Sequence, residues 1–274
     1  MAEHFVCLTF DHDNTSPMIA REMTTPTMIS RGDFGMVAAE RLLALLGKHS
    51  IASTWFIPGH TIETYPVSVA AVHAAGHEIG HHGWTHRVPA SLGREEEERE
   101  LVRGNAAIKR LTGQNARGYR SPAWDLSPVT AELLIRHGFL YDSSMMGNDH
   151  HPYQVRVGDV IPIDEPMQFG LKTQLIEMPI SWSLDDFPHF EFFRTQGLMA
   201  TAGVLQNWVD DFEYMTRETD WGILTYTCHP YVIGRGHRMM MLERLIHALL
   251  QRGAAFATME EAALEYQRSR AAQA

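Results

Sequence analysis

The chain has 274 residues, 45% of them hydrophobic and 20% charged. That is long for an ordinary domain but normal for one α/β barrel with a sizeable core. A formal net charge of −10 argues against a nucleic-acid-binding face and against a basic membrane patch, and no apolar run approaches the ~20 residues of a bilayer span.

The elements follow in order. Phe5 to Phe10 is a short apolar run rich in β-formers, read as a strand buried on both faces, and it ends in Asp11-His12-Asp13-Asn14. In extended geometry Asp11 and Asp13 point to one side and His12 to the other. Ionisable groups at the mouth of a buried strand are costly unless they bind something. One carboxylate could hold a metal while its neighbour handles protons; a solvated turn is the bland alternative. Residues 15–32 carry no clean period and are expected to form a long pocket-building loop. Asp33 is expected to cap a helix to about Lys48. Ala52 to Pro58 is the second strand, and a helix after Pro66 stops at Gly76.

Glu78-Ile79-Gly80 then leads into His81-His82-Gly83-Trp84-Thr85-His86. His82 and His86 are four apart, a spacing that on a helical turn puts two imidazoles on one face, close enough to share one metal ion. Lone histidines here would be surface or satisfied core residues, but the upstream carboxylates supply partners. Arg94 to Leu111 reads as a helix whose Glu95–Glu98 start is solvated and suits the helix dipole. Gly118 to Asp125 is a strand running into a loop, Pro128–His137 a helix, and Phe139–Ser144 a short strand with a polar end. Residues 145–175 read as irregular, Ile176–Trp182 as a strand leading into Asp185-Asp186, and Gly197–Thr219 as a helix. Gly222–Cys228 is a buried strand stopping at His229-Pro230, followed by a helix from Met239 to Arg252, a last strand 255–259 and a closing helix. Cys7 and Cys228 lie in apolar runs and read as small core residues rather than a disulfide.

Alternating strands and helices imply a parallel sheet, and this many units favour a barrel over an open sheet. With no repeat or linker, residues 1–274 are expected to form a single domain. Asp11-Asp13, His82-His86, Arg120, Asp142-Ser143 and His229 all fall at carboxyl ends of strands, where parallel α/β folds place their chemistry.

These residues resemble the polysaccharide deacetylase family, also called the NodB-homology or carbohydrate esterase family 4 domain, over most of the chain. Thr9-Phe10-Asp11 looks like its first motif, His82-Gly83-Trp84-Thr85-His86 its second, Arg120-Ser121-Pro122 its third, Asp142-Ser143-Ser144 its fourth, and the His229 strand end its fifth. The resemblance implies a distorted (β/α) barrel with fewer than eight strands and a divalent metal held by one aspartate and two histidines. In the family the metal aspartate directly follows the catalytic one, and here that position is His12. The Asp-His-Asp spacing looks like a branch that includes cytoplasmic members and ureide-ring hydrolases. The metal is therefore assigned to Asp13, His82 and His86, with His12 as the alternative ligand. The resemblance further implies Asp11 as general base, Arg120 holding it ionised, and His229 as general acid towards the departing nitrogen. A backbone N–H near Tyr119–Arg120 or Trp84 is expected to aid the oxyanion. Trp84, Tyr119, Trp124, Trp182 and Asp185 are candidate substrate-binding residues.

The expected activity is hydrolysis of a non-peptide C–N bond in a small intracellular amide, either an N-acyl group or a cyclic imide or ureide. N-deacetylation of a polysaccharide or peptidoglycan fragment is the alternative, and a metal-free binding barrel is the non-enzymatic one. Zinc suits the ligand set, though cobalt, nickel and manganese can occupy such sites. The strand pattern begins at Phe5 with no signal-like segment before it, so the cytoplasm is the expected location, and relatives of this branch suggest a homo-oligomer.

Overall fold

The computed structural model describes residues 3–192 and 198–273. Its centre is one sheet whose strands run β1 (Glu3–Asp11), β2 (Thr54–Ile57), β3 (Glu78–His81), β4 (Gly118–Tyr119), β5 (Tyr141–Asp142), β6 (Tyr153–Val157), β7 (Leu171–Glu177), β8 (Trp221–Cys228) and β9 (Ala255–Phe256). In space the order is β6-β7-β5-β4-β3-β2-β1-β8, with β9 also pairing β1. Every pairing is parallel except β6 with β7. The sheet curls into a half-barrel, and a single parallel bridge between Asp185 and Thr227 brings the chain beyond β7 against β8. That bridge is what carries Asp185 and Asp186 to the end of β8, beside His229.

The apolar reading of β1 holds: Val6, Cys7, Leu8 and Phe10 are buried, and β8 is buried from Gly222 onward. Helices 26–49, 94–112, 201–218 and 236–251 cover the sheet, with Leu42, Leu46, Trp208, Phe212, Leu242 and Leu249 wholly enclosed between the layers. Cys7 and Cys228 are buried free thiols.

Several expectations need correction. The loop 15–32 is largely helical: Ser16–Ala20 forms one short helix and a long one starts at Pro26, so Asp33 lies inside that helix and is not its cap. The Asp33 carboxylate instead accepts from the Tyr65 hydroxyl at 2.7 Å. Gly32 and Gly35 explain the disguise. A Cβ on Gly32 would lie 2.6 Å from the Asn14 carbonyl oxygen, and one on Gly35 2.0 Å from Asn14 Oδ1. The helix therefore gives up propensity to lie directly on the turn after Asp13.

Residues 145–175, read as irregular, contain β6 and most of β7, an antiparallel pair at the sheet edge. The strand expected at Ile176–Trp182 is the end of β7, and Trp182 begins a short 3-10 turn. Of the acidic run at Glu95–Glu98, Glu97 is buried and accepts from the hydroxyls of Ser127 and Thr130. The helix expected from Gly197 is described from Thr201 to Glu218; Gly197 lies outside the described residues.

Candidate active site

Asp11 closes β1 with its backbone in register with Phe56 of β2, and the chain leaves the sheet at His12, whose N–H donates to the Phe56 carbonyl at 2.9 Å. The alternation expected of a strand persists through this exit. Asp11 and Asp13 face the barrel mouth, while His12 turns into the wall against Trp55, ring centroids 5.3 Å apart. Burial lowers the His12 pKa to about 3, so the ring is neutral.

His82 and His86 do come together, with ring centroids 5.0 Å apart, but not on a helical turn. The loop between them uses the left-handed region at Gly83 (φ 72°) and at His86 (φ 59°). It is pinned from both sides: Gly59 N–H donates to the Gly83 carbonyl at 3.1 Å, and the Trp84 N–H donates to Glu100 Oε2 at 3.2 Å. Helix 94–112 comes very close here, since a Cβ on Gly104 would lie 2.4 Å from His81 Nε2 and 2.9 Å from the Gly83 carbonyl.

The two carboxylates have different surroundings. Arg120, wholly buried, donates to Asp11 Oδ1 and to Thr9 Oγ1, both at 2.8 Å, while its Nε and Nη2 reach the Ser143 carbonyl and hydroxyl. Its guanidinium also lies 4.2 Å from the Phe56 ring centroid. Burial pushes the Asp11 carboxyl upward, but Arg120, with help from His82 and His229, more than offsets it, so Asp11 sits below the usual carboxylate range. Asp13 has no such partner, and burial raises its pKa well above the ordinary value.

His82 Nδ1–H donates to the Arg120 carbonyl at 2.7 Å, which leaves Nε2 as the lone-pair nitrogen. That nitrogen lies 3.4 Å from Asp13 Oδ1, and His86 Nε2 lies 3.5 Å from Asp13 Oδ2. Burial depresses both imidazoles, His82 to about 4 and His86 well below its usual value, so both are neutral, the form that ligates. Neither His82 Nε2 nor Asp13 Oδ1 has a hydrogen-bond partner. Two orphaned, buried donor atoms are expensive unless a cation satisfies them. Tetrahedral zinc with ~2.0–2.1 Å bonds needs ligand atoms about 3.3 Å apart, close to the two separations found. A divalent metal fits these three residues.

His229, one residue beyond β8, sits across the mouth with Nε2 4.0 Å from Asp11 Oδ2 and 3.9 Å from Asp13 Oδ2. Asp186 Oδ1 accepts from His229 Nδ1–H at 2.8 Å and from its backbone N–H at 2.9 Å. Burial alone would lower the His229 pKa, but Asp185, Asp186 and Asp11 together raise it to about 10. The ring is an imidazolium at neutral pH. Burial also pushes the Asp185 carboxyl up against the opposing pull of His229, and its Oδ1 accepts from the Phe187 N–H.

Asp11, Asp13, His82, His86 and His229 line one cavity of about 200 Å³. Trp124, Trp182 and Asp185 line it as expected, the two indoles stacked with centroids 4.1 Å apart. Ala123 and Trp124 both sit at φ 55°, backbone strain of about 1–2 kcal/mol per residue that presents Trp124 to its partner. Trp84 and Tyr119, expected as substrate contacts, do not line the cavity. Trp84 packs under Arg103, 3.6 Å from the guanidinium, and Tyr119 is buried against His81. The expected oxyanion donors are also occupied: the Arg120 N–H donates to the His81 carbonyl and the Trp84 N–H to Glu100. Arg21, Phe187 and Tyr231, which the sequence reading passed over, complete the wall.

The polysaccharide deacetylase family model matches residues 2–141. The chain belongs to the polysaccharide deacetylase family. It is 38% identical over 258 residues to a peptidoglycan deacetylase of Helicobacter pylori, covering 88% of each protein. Its fold is similar to that of a Mycobacterium smegmatis protein described as a putative polysaccharide deacetylase, at 30% identity and a TM-score of 0.83, covering 98% of this chain and 92% of that one. An allantoinase, at 20% identity and a TM-score of 0.79 over 97% of this chain and 90% of that one, shares the fold. The chain is thus a hydrolase of C–N amide bonds on a distorted (β/α) barrel.

Proposed function

We propose that the protein hydrolyses a compact amide, an N-acyl group or a cyclic imide or ureide, at a divalent metal held by Asp13, His82 and His86. The supporting observation is the cavity: about 200 Å³, walled by the Trp124–Trp182 stack, Phe187 and Tyr231. Pockets for drug-sized ligands run to roughly 300–1,000 Å³, so the space suits one small ring or one acyl end.

A divalent ion, zinc by its N/O donor set, would supply Lewis-acid polarisation of the amide carbonyl and would acidify water. The chain's own groups handle the protons. Asp11 accepts a proton from the attacking water at Oδ2, the oxygen that its bond to Arg120 leaves free. Arg120 holds that carboxylate ionised and oriented. His229 donates its Nε2 proton to the departing nitrogen, which would otherwise leave as a poor anion. The stacked Trp124–Trp182 pair offers the apolar part of the substrate a flat wall to lie against.

The likeness to the H. pylori protein supports the second reading, N-deacetylation of a peptidoglycan fragment. Succinimide-like rings and small N-acyl amides assayed beside N-acetylglucosamine oligomers decide between them. Release of acetate from the oligomers without any turnover of the small amides would sink the first reading.

The same proposal treats residues 1–274 as one domain, because β7 and β8, which lie beyond the matched segment 2–141, belong to the same sheet. A cytoplasmic location is part of it too, in keeping with two unpaired cysteines; no described helix is long and apolar enough to cross a membrane. Cell fractionation tests that placement. A homo-oligomer is proposed on the exposed Val160, Ile161, Ile163, Phe169 and Leu171 of the β6–β7 hairpin.

A further inference from the structure

The cations around the barrel mouth are almost all engaged. Arg120 holds Asp11, Thr9 and Ser143. Arg31 pairs with Glu191, and Arg87 with Glu96. Arg103 lies over Trp84 and Arg235 over Phe34, while Arg238 donates to the Val232 and Phe190 carbonyls.

Arg21 differs. It follows the short helix Ser16–Ala20, where its backbone N–H donates to the Met18 carbonyl at 3.2 Å. Its position is therefore fixed by the chain that leaves Asp13, only eight residues away in sequence. Its side chain lines the cavity with Pro17 and Tyr231, across the same space as Asp11, His86 and His229. The residue is exposed, and among the described residues its guanidinium makes no hydrogen bond and no ion pair.

An unpaired guanidinium in the lining of a small cavity, beside Trp124, Trp182, Phe187 and Tyr231, is suited to an anionic ligand group, and a space this small favours a carboxylate. A guanidinium presents N–H donors in a planar fork that matches a carboxylate bidentately. It offers no acceptor, so it cannot serve a neutral amide's N–H. We infer that Arg21 forms a carboxylate-binding subsite at the mouth of the cavity, and that the preferred substrate is a compact amide bearing a carboxylate beside the scissile group.

The inference deepens the proposed amide hydrolysis and rests on it for the word substrate, but the subsite can be read separately. The decisive pair is a carboxylate-bearing cyclic imide or N-acyl amide and its carboxamide isostere, which differ in charge and hardly in shape. With metal-loaded protein, kcat/KM should favour the carboxylate by about 10- to 100-fold, the weight of one charge-assisted bidentate contact. In Arg21→Gln that ratio should fall towards one, chiefly through KM, and Arg21→Lys should restore part of it. Binding of the same pair is followed by the fluorescence of the stacked Trp124 and Trp182, which needs no turnover. Discrimination in binding without hydrolysis would sink the amidohydrolase reading and leave the subsite standing. Hydrolysis or binding with equal preference for both compounds, or a preference that survives in Arg21→Gln, overturns the subsite.

Discussion

Asp186 Oδ1 accepts two hydrogen bonds from one residue, the Nδ1–H of His229 at 2.8 Å and its backbone N–H at 2.9 Å. The carboxylate thereby fixes which ring nitrogen faces inward and helps keep the ring charged. His229 retains its proton until about pH 10, so a donor role persists below that pH and is lost as pH rises through it. Replacing Asp186 by Asn keeps a hydrogen-bond acceptor but removes one of the charges that raise the pKa. The alkaline limb of the kcat/KM profile should move to lower pH by roughly 1 unit or more. An unmoved limb would show that His229 is not the group titrating there.

Three substitutions test the metal centre directly. Asp13→Ala, His82→Ala and His86→Ala should each lower bound divalent metal, from about one ion per chain, and lower kcat by about 100-fold or more, since one donor of three is gone. Elemental analysis of the purified proteins reads the first effect without an assay. Protons compete for the same atoms: burial raises Asp13 well above its usual pKa, so metal should be lost progressively on acidification, releasing ligand atoms to protons. Retention of a full metal complement by all three variants would remove the ligand assignment.

How much of this was legible in the sequence depends on how each element is buried. β1 and β8 announced themselves because every side chain along their inner lengths is enclosed, leaving an unbroken apolar run. β6 and β7 did not, because they form an edge pair: in β7 Leu171, Lys172 and Gln174 are exposed and only Leu175, Ile176 and Glu177 are buried, and in β6 only Val155 is. Helix 26–49 carried a proline at its first turn, a readable start, but the glycines that let it lie on Asn14 broke its pattern. In the site, spacing pairs Asp11 with Asp13 and His82 with His86, and the family resemblance joins the two pairs. Neither gives the reason for their meeting, since His86 reaches Asp13 through left-handed backbone at a non-glycine residue. Asp186 was hidden beside Asp185. Which of two adjacent acids meets His229 depends on the bridge from Asp185 to Thr227, a long-range contact with no local signature. Trp84 stood in a motif and looked functional, yet its ring supports Arg103 instead.

The Arg120–Asp11 pair is wholly buried, so its removal should be felt in the fold as well as in the chemistry. Arg120→Met strips a buried carboxylate of its counter-ion and leaves Ser143 and Thr9 without a donor. A loss of about 3–5 kcal/mol is expected, read as a lowered Tm. The pH dependence should also change. Asp11 is held below its unfolded value of 3.8, so in the native protein its stabilising contribution is present above that value and is lost as pH falls through the folded pKa. In Arg120→Met that contribution disappears, and the acid limb of activity moves to higher pH as the carboxyl takes up a proton more readily. Conserved Tm with lost activity would instead mean that Arg120 acts only in the reaction.

β6 and β7 form a hairpin at the edge of the sheet. Val160, Ile161, Ile163, Phe169 and Leu171 cluster on it, all exposed, and Ile163 almost completely so. Val160 and Gln168 exchange backbone hydrogen bonds at 2.9 Å, which extends the antiparallel pairing beyond β6 and β7 and ties the two arms that carry these side chains. Monomeric proteins seldom expose several large apolar side chains on one sheet edge, and an antiparallel edge pair invites association with a second copy. The homo-oligomer proposed above should therefore be seen by sedimentation or light scattering at micromolar concentration, and Ile163→Glu with Phe169→Glu should shift it to monomer. The hairpin lies outside the residues that line the cavity, so a dissociated variant separates assembly from chemistry. A monomeric wild-type protein, or an assembly indifferent to both charges, would remove the hairpin from any role in self-association.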